Sequence, residues 1–224
     1  MNLYEKVRPT CFEQVLGQER AVKRCQTILE REGWGGRAWL FIGKSGTGKT
    51  TMATIIAKMG CDDFFLDLIP SGRALGPAEM GRIEELMHQY TFSAGKTGRA
   101  FVIDECHGMR KDIVERFNAI LEHVPSHVAF FFTTTNEPDD AQATLFDTTD
   151  PKERKDERAF MSRCHVIRLT NQGLTRIFAE HCQRIAQAEG LDGKGLSAYE
   201  TLAKECRNNC REMLQEISGG RMAE

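Results

Sequence analysis

Short apolar segments alternate with amphipathic segments along most of the chain. In the amphipathic segments apolar residues recur at spacings of three and four, as at Val22, Cys25 and Ile28, which is typical of helices that bury one face. The apolar segments are of strand length and cover residues 38–43, 64–69, 99–104, 128–133 and 165–169. This alternation predicts an α/β fold in which helices lie on both sides of a five-stranded parallel sheet.

The pattern changes after Thr170, from which point the periodicity is helical only. The predicted helices cover residues 174–189, 195–205 and 209–217, with glycines between the first two. We therefore predict two domains, an α/β domain over residues 1–170 and a small helical domain over residues 171–224. Residues 139–157 carry many charges and little apolar periodicity, which predicts a solvated loop or insertion.

A phosphate-binding loop is indicated between the first predicted strand and the next helix. The chain there matches G-x-x-x-x-G-K-[ST] with Gly43, Lys44, Ser45, Gly46, Thr47, Gly48, Lys49 and Thr50. Backbone N–H groups of such a loop close around phosphates, and the helix N-terminus adds positive potential. Lys49 can then reach the β and γ phosphates, the Thr50 hydroxyl can ligate Mg²⁺, and Thr51 follows in the nucleotide site. The alternative is an ordinary glycine turn.

Two carboxylates follow the third predicted strand, at Asp104 and Glu105. In a parallel sheet this strand end lies near the phosphate-binding loop, so Asp104 is expected to hold Mg²⁺. Glu105 is expected to orient or deprotonate the water that attacks the γ phosphate. Loop and carboxylates together predict binding and hydrolysis of ATP.

Composition removes several other classes of function. A net charge of −2 excludes binding to nucleic acid through overall charge, although a local basic patch remains compatible. No apolar run approaches the roughly 18 residues that cross a bilayer, and no apolar segment resembling a secretion signal begins the chain, so a cytoplasmic protein without a membrane partner is expected. The eight cysteines include no Cys-x-x-Cys pair, which favours neither a disulfide framework nor a zinc site.

With these motifs in view, the chain resembles the clamp-loader branch of the AAA+ ATPases, which comprises the bacterial gamma/tau subunit and the replication factor C small subunits. Residues 4–9 (YEKVRP) and 15–18 (VLGQ) are similar to the family's N-terminal adenine-binding stretch. This similarity implies that Val7, Arg8, Pro9 and Leu16 contact the nucleotide. Val7 stands where the family usually has an aromatic residue.

Three further segments extend the resemblance over nearly the whole chain. Residues 121–135 are similar to the segment that leads into sensor 1, which implies that Thr134 senses the γ phosphate. The Ser-Arg-Cys motif at 162–164 implies that Arg163 reaches the ATP site of a neighbouring subunit. Residues 209–214 resemble the sensor 2 helix and assign that arginine to Arg211. The alternatives are a β-forming threonine and two ordinary surface arginines.

The resemblance implies an ATPase that opens or loads a sliding clamp on primer-template DNA, within a homo- or hetero-oligomer of AAA+ subunits. Basic residues near helix starts are the candidate contacts to DNA phosphates, and these are Arg73, Arg82, Arg110 and Lys111. The gamma subunit's zinc cluster is not expected, since only Cys61 follows the P-loop helix, and the family's collar domain is not expected before Glu224. The alternatives are another DNA-acting AAA+ ATPase, for branch migration or fork maintenance, and a nucleotide-binding scaffold with little hydrolysis.

Overall fold

A five-stranded parallel sheet organises the first part of the molecule. The computed structural model describes residues 2–90, 95–136, 145–146 and 151–223, without the side chains of residues 151–154. The strands are β1 (Arg37–Ile42), β2 (Leu66–Ile69), β3 (Arg99–Ile103), β4 (Val128–Thr134) and β5 (Cys164–Arg168). Their order in the sheet is β2-β3-β4-β1-β5, and every pair is parallel. The predicted α/β class and the five predicted strands are confirmed.

Helices cover both faces of this sheet. They are α2 (Glu19–Glu32), α3 (Lys49–Gly60), α4 (Pro77–Met87), α5 (Lys111–Ile120) and α6 (Pro151–Ser162), whereas the short α1 (Leu3–Lys6) packs elsewhere. Buried residues of α2 and α3 share one apolar cluster with Phe131, whereas those of α4, α5 and α6 share another with Phe130 and Phe132. Because neighbouring side chains of a strand point to opposite faces, the aromatic run of β4 supplies both clusters.

The charged stretch predicted as a loop is in part helical. Residues 151–157 form the first turns of α6, so the loop prediction is wrong for them, while residues 139–144 and 147–150 lie outside the described residues. Phe160 explains why the helix is fixed to the domain. Its ring is fully buried and meets Phe132 at a centroid distance of 4.8 Å, in an edge-to-face arrangement that stabilises aromatic pairs.

Three helices follow the sheet, namely α7 (Thr175–Ala188), α8 (Leu196–Glu205) and α9 (Cys210–Ser218). They bury an apolar cluster of their own, in which Phe178, Tyr199 and Met213 are central and to which Leu3 of α1 also belongs. We refer to these three helices as the lid. The predicted boundary between residues 170 and 171 stays a prediction. Within the described residues, no helix has the length and apolar character that crossing a membrane requires.

Candidate active site

The loop between β1 and α3 has a shape that only glycine allows at two positions. Gly46 and Gly48 have φ angles of 76° and 95°, a left-handed region that is costly for residues with a Cβ. Gly43 is confined for another reason, because a Cβ there would lie 2.8 Å from the carbonyl oxygen of Leu169. The backbone is therefore bent around a small space directly before the N-terminus of α3.

Lys49 is buried and is turned toward this loop. Its Nζ atom donates to the carbonyl oxygens of Gly43 at 2.8 Å and of Lys44 at 3.0 Å. Both acceptors are neutral carbonyls, whereas a phosphate oxygen carries a negative charge that adds coulombic attraction to the hydrogen bond. A phosphate entering the loop therefore competes effectively for the Lys49 ammonium.

Two hydroxyl groups meet the carboxylate of Asp104, which follows the end of β3. Thr50 Oγ1, in the first turn of α3, lies 3.1 Å from each carboxylate oxygen. The Thr133 hydroxyl from β4 donates to the same carboxylate. Hard cations such as Mg²⁺ prefer carboxylate and hydroxyl oxygens, so this donor set fits the predicted metal. Thr50 and Asp104 are the residues that would hold it.

Glu105 lines the cavity that also contains Lys49, Thr50 and Asp104. Its side chain is exposed, and its backbone adopts φ 47° and ψ 50°, which is uncommon for a residue other than glycine. The backbone N–H of Glu105 donates to the Thr133 hydroxyl at 3.3 Å. Glu105, Asp104, Lys49 and Thr50 line one cavity, together with Ser45, Gly46, Gly48, Thr51, Thr133, Thr134, Thr135 and Arg211. A carboxylate is thus available beside the loop and the cation ligands.

The two threonines at the end of β4 differ in what their hydroxyl groups contact. Thr134, predicted as the γ-phosphate sensor, accepts from the N–H of Asn136 at 3.1 Å and lies 3.4 Å from His107 Nδ1. It is Thr133 whose hydroxyl meets Asp104. Sequence reasoning missed Thr133, although a hydroxyl in a buried aromatic strand needs a partner and could have drawn attention to it.

A second cavity adjoins the first and is mostly apolar. Several predicted nucleotide contacts line it, namely Val7, Arg8, Pro9, Leu16, Gly46, Thr47, Gly48, Thr51 and Arg211. Seven other residues complete the lining, namely Tyr4 and Val15 of the predicted adenine-binding stretch, and Gln14, Phe178, His181, Cys210 and Leu214. An apolar cavity with few polar groups suits a flat heterocycle such as a nucleotide base. Both α7 and α9 contribute to it; the sequence motifs indicated α9, through Arg211, but not α7.

Arg211 lines both cavities and stands between them. Its guanidinium lies 5.5 Å from the centroid of the Tyr4 ring, a cation–π contact that holds it near the N-terminal segment. Asn209, two residues before Arg211, also approaches the loop. Asn209 caps α9 by accepting from the N–H of Glu212 at 3.3 Å, and a Cβ on Gly46 would lie 1.9 Å from its Oδ1 atom. The lid therefore contacts the phosphate-binding loop directly.

Arg163 is not among the described residues that line either cavity of its own chain. It follows the last residue of α6 and donates to the carbonyl oxygen of Ala159 at 2.8 Å. Its guanidinium also pairs with the carboxylate of Glu122. Within one chain the structure does not bring this arginine to Lys49 and Glu105.

The candidate DNA contacts lie at the start of α5, in the turn before α4 and within α4, where Arg82 is in the middle of the helix rather than near its start as predicted. Arg82 on α4 pairs with Asp67 at 2.9 Å and with Glu79 at 2.7 Å, and these carboxylates raise the pKa of its guanidinium. Arg110 precedes α5 and pairs with Asp112 at 3.0 Å. Arg73 and Lys111, the first residue of α5, are exposed. Arg82 can therefore contact a DNA phosphate only if the phosphate displaces the carboxylates of Asp67 and Glu79.

Comparison with known proteins gives a family match over half of the chain. Residues 39–157 match the model described as "ATPase family associated with various cellular activities (AAA)". Among curated proteins, the chain is 31% identical over 156 residues to DNA polymerase III subunit tau of Bacillus subtilis (strain 168), covering 59% of this chain and 27% of that protein. It is 24% identical over 224 residues to replication factor C small subunit 1 of Pyrobaculum arsenaticum, covering 98% of this chain and 58% of the relative.

Solved structures show the same fold. The RuvB Holliday junction branch migration motor of Thermotoga maritima aligns with a TM-score of 0.65 at 21% identity, over 95% of this chain and 64% of the other. The chain thus spans less than two thirds of the length of each of these proteins. The resemblance to gamma/tau and replication factor C subunits is confirmed by these similarities.

Proposed function

The chain belongs to the AAA family of ATPases, and from this membership we propose that it binds ATP with Mg²⁺ in the two adjoining cavities and hydrolyses it. The observation that carries the proposal is the meeting of Thr50 and Asp104 beside the buried Lys49 and the exposed Glu105. Phosphate, metal and water chemistry need these groups within one small volume. The adjoining apolar cavity then takes the base.

The residues have separate tasks in this proposal. Lys49 and the backbone of the loop bind the phosphates, and Thr50 and Asp104 hold the cation. Mg²⁺ supplies charge neutralisation at the phosphate oxygens when bound. Glu105 accepts a proton from the attacking water, whose oxygen bonds to the γ phosphorus as the bond to the leaving ADP oxygen breaks. The γ phosphate is sensed by Thr134, or by Thr133 through its bond to Asp104. Arg211 connects the bound phosphates to the lid.

Arg163 acts on the site of a neighbouring subunit in this proposal. Its position outside both cavities of its own chain supports a role between chains, as does the contact with Glu122, which is exposed on the surface. A guanidinium brought to the transferring phosphoryl group stabilises the charge that develops there. The active form is therefore an oligomer of AAA+ subunits.

The pathway we propose is the opening or loading of a sliding clamp on primer-template DNA, in the cytoplasm. Support comes from curated relatives that are DNA polymerase III gamma/tau subunits and a replication factor C small subunit. Arg110 and Lys111 at the start of α5 and Arg73 in the turn before α4 are the proposed phosphate contacts, since all three are exposed. Arg82 joins them when a phosphate displaces Asp67 and Glu79 from its guanidinium. Such contacts position the duplex without reading its sequence.

The test is steady-state ATP turnover by the full chain, alone and mixed with candidate AAA+ partner subunits. Turnover is measured without DNA, with primer-template DNA, with primer-template DNA and a sliding clamp, and with a four-way junction. Stimulation by clamp and primer-template together is the expected result. Stimulation by the junction alone contradicts clamp loading in favour of branch migration, and ATP binding without turnover under any condition contradicts the ATPase proposal in favour of a scaffold.

A further inference from the structure

Gln18 is a buried polar residue at the junction between the sheet and the lid. It directly precedes α2, and only 3% of its surface is exposed. Residues at this place often bond with their side chains to the first N–H groups of the helix, but Gln18 makes no such bond to α2, which is described in full. A buried carboxamide needs partners, so its actual partner is informative.

The carboxamide of Gln18 bonds to both backbone groups of Thr170. Its Nε2 atom donates to the carbonyl oxygen of Thr170 at 2.7 Å, and its Oε1 atom accepts from the N–H of Thr170 at 3.1 Å. The two residues are 152 positions apart in the chain. Because a carboxamide carries both a donor and an acceptor, this one side chain holds the backbone of Thr170 in place.

Thr170 is the point at which the chain leaves the sheet. Leu169, directly before it, still bonds to β1, since its N–H donates to the carbonyl oxygen of Ile42 at 2.8 Å. The first helix of the lid, α7, begins shortly afterwards at Thr175. Gln18 therefore fixes the start of a short connection, and the direction of that connection determines where α7 lies.

The two residues before Gln18 contact the apolar cavity and the start of α7. Leu16 lines the cavity together with Phe178 of α7. Gly17 has a φ angle of 72° and packs so closely on Leu174 that a Cβ would lie 2.4 Å from its Cδ2 atom. Three consecutive residues thus contact the cavity, the residue that precedes α7, and the connection to the sheet.

We propose that Gln18 is a positioning residue for the nucleotide base. By holding Thr170 it keeps α7 where Phe178 and Leu16 line one cavity of the width that a base requires. Gln18 itself is not among the described residues that line either cavity, so it acts through these two side chains. The inference rests on the proposed function, because it needs the base in the apolar cavity. A ligand with phosphates and no base should therefore bind independently of Gln18.

The experiment uses the full chain with Gln18→Met, which removes both hydrogen bonds at similar volume. Isothermal titration calorimetry in the presence of Mg²⁺ compares ATP with inorganic tripolyphosphate, which has no base. ATP affinity should fall about five- to thirtyfold, as expected for two hydrogen bonds, while tripolyphosphate affinity stays within about twofold. Gln26→Met is the matched control, because Gln26 is exposed on α2 and should leave both affinities unchanged.

Amide hydrogen exchange followed by NMR tests the contact without nucleotide. In Gln18→Met the N–H of Thr170 loses its acceptor, so its exchange should become at least about tenfold faster. The N–H of Leu169, bonded to Ile42, should exchange as before. Gln18→Asn keeps a carboxamide on a side chain that is one methylene shorter. It should show the same two effects, and it carries the test if Gln18→Met does not fold.

The contrary results differ in what they overturn. Unchanged exchange at Thr170 overturns the hydrogen-bonded pair. Faster exchange at Thr170 with unchanged ATP affinity, or an equal loss of affinity for ATP and tripolyphosphate, overturns the positioning role alone. If the unmodified chain binds tripolyphosphate as tightly as ATP, the apolar cavity does not take the base, and the proposed function fails at that step together with the inference.

Discussion

The guanidinium of Arg163 pairs with the carboxylate of Glu122, which lies 41 residues earlier in the chain. The arginine that we assign to a neighbour's ATP site is therefore held by its own subunit when no neighbour is present. Glu122 is exposed, and ion pairs at a surface contribute little free energy because water and salt screen them. A triphosphate with several charges can replace Glu122 as the partner of Arg163.

Mixing two inactive variants tests whether Arg163 acts between subunits. Arg163→Ala keeps its own Lys49 and Glu105 but cannot serve a neighbour, whereas Glu105→Gln offers an intact arginine. Each variant alone should be nearly inactive, because an arginine at the transferring phosphoryl group contributes on the order of 10³-fold or more. A mixture should regain part of the ATP turnover. Arg158→Ala, on the exposed side of α6, is the control and should keep its activity. No recovery in proven mixed oligomers would show that Arg163 does not act in trans.

Removing the competing carboxylate should favour assembly. Glu122→Gln leaves Arg163 without its anionic partner, so the neighbour's phosphates face less competition. We expect ATP-dependent association of subunits to tighten by about two- to fivefold, the range that exposed ion pairs cover. Sedimentation velocity at several concentrations measures this. Equal tightening without nucleotide, or in the double variant with Arg163→Ala, would contradict the mechanism.

Lys49 should be required for affinity and not for folding. Lys49→Ala removes the ammonium that stands inside the loop, and ATP affinity should fall about 10- to 100-fold, as expected for a hydrogen bond to a charged group. A fluorescent ATP analogue measures affinity, and circular dichroism with thermal unfolding checks the fold. Lys58→Ala, at the exposed end of the same helix, is the matched control. Unchanged affinity in folded Lys49→Ala would refute the phosphate-binding loop.

Glu105 should be required for hydrolysis and not for binding. In Glu105→Gln the amide cannot take the proton of the attacking water, while Thr50 and Asp104 keep their contacts. Turnover should fall on the order of 10²- to 10⁴-fold with nearly unchanged affinity for ATP. Single-turnover assays measure hydrolysis, and Glu115→Gln, an exposed carboxylate of α5, serves for comparison. Turnover near that of the unmodified chain would assign general-base catalysis to another group.

Substitution of Thr133 should change the Mg²⁺ dependence of ATP turnover, and substitution of Thr134 should not. Thr133→Val removes the hydroxyl that donates to Asp104 at nearly constant volume, leaving that carboxylate less well oriented. The Mg²⁺ concentration for half-maximal activity should rise about fivefold, which corresponds to one hydrogen bond of about 1 kcal/mol. In Thr134→Val the Mg²⁺ dependence should stay as it is, because that hydroxyl faces His107. If only Thr134→Val raised the Mg²⁺ requirement, the γ-phosphate sensor would be Thr134 alone.

Local patterns in the chain were sufficient for the sheet and for the phosphate-binding loop. Strand and helix periodicities need only neighbouring residues, and all five predicted strands are present. Gly46, Gly48 and Lys49 lie within one short segment, and the positive φ angles of its two glycines are what the motif predicts. The same reasoning failed for residues 151–157, where burial of Phe160 against Phe132 holds a charged segment in a helix.

Tertiary structure alone decided which side chains meet. Whether Thr133 or Thr134 reaches Asp104 depends on which face of β4 carries α3, and Thr133 shares its face with Phe131 and therefore with the helix that begins at Lys49. The apolar cavity forms only when α7 and α9 pack beside the N-terminal segment, so that Phe178, Arg211 and Tyr4 line one space. Arg163 and Glu122 follow different helices and meet only through the packing of α5 against α6. Local sequence specifies the apolar faces of helices and strands and the positions where these elements end. Contacts between distant residues arise only when those faces pack against one another.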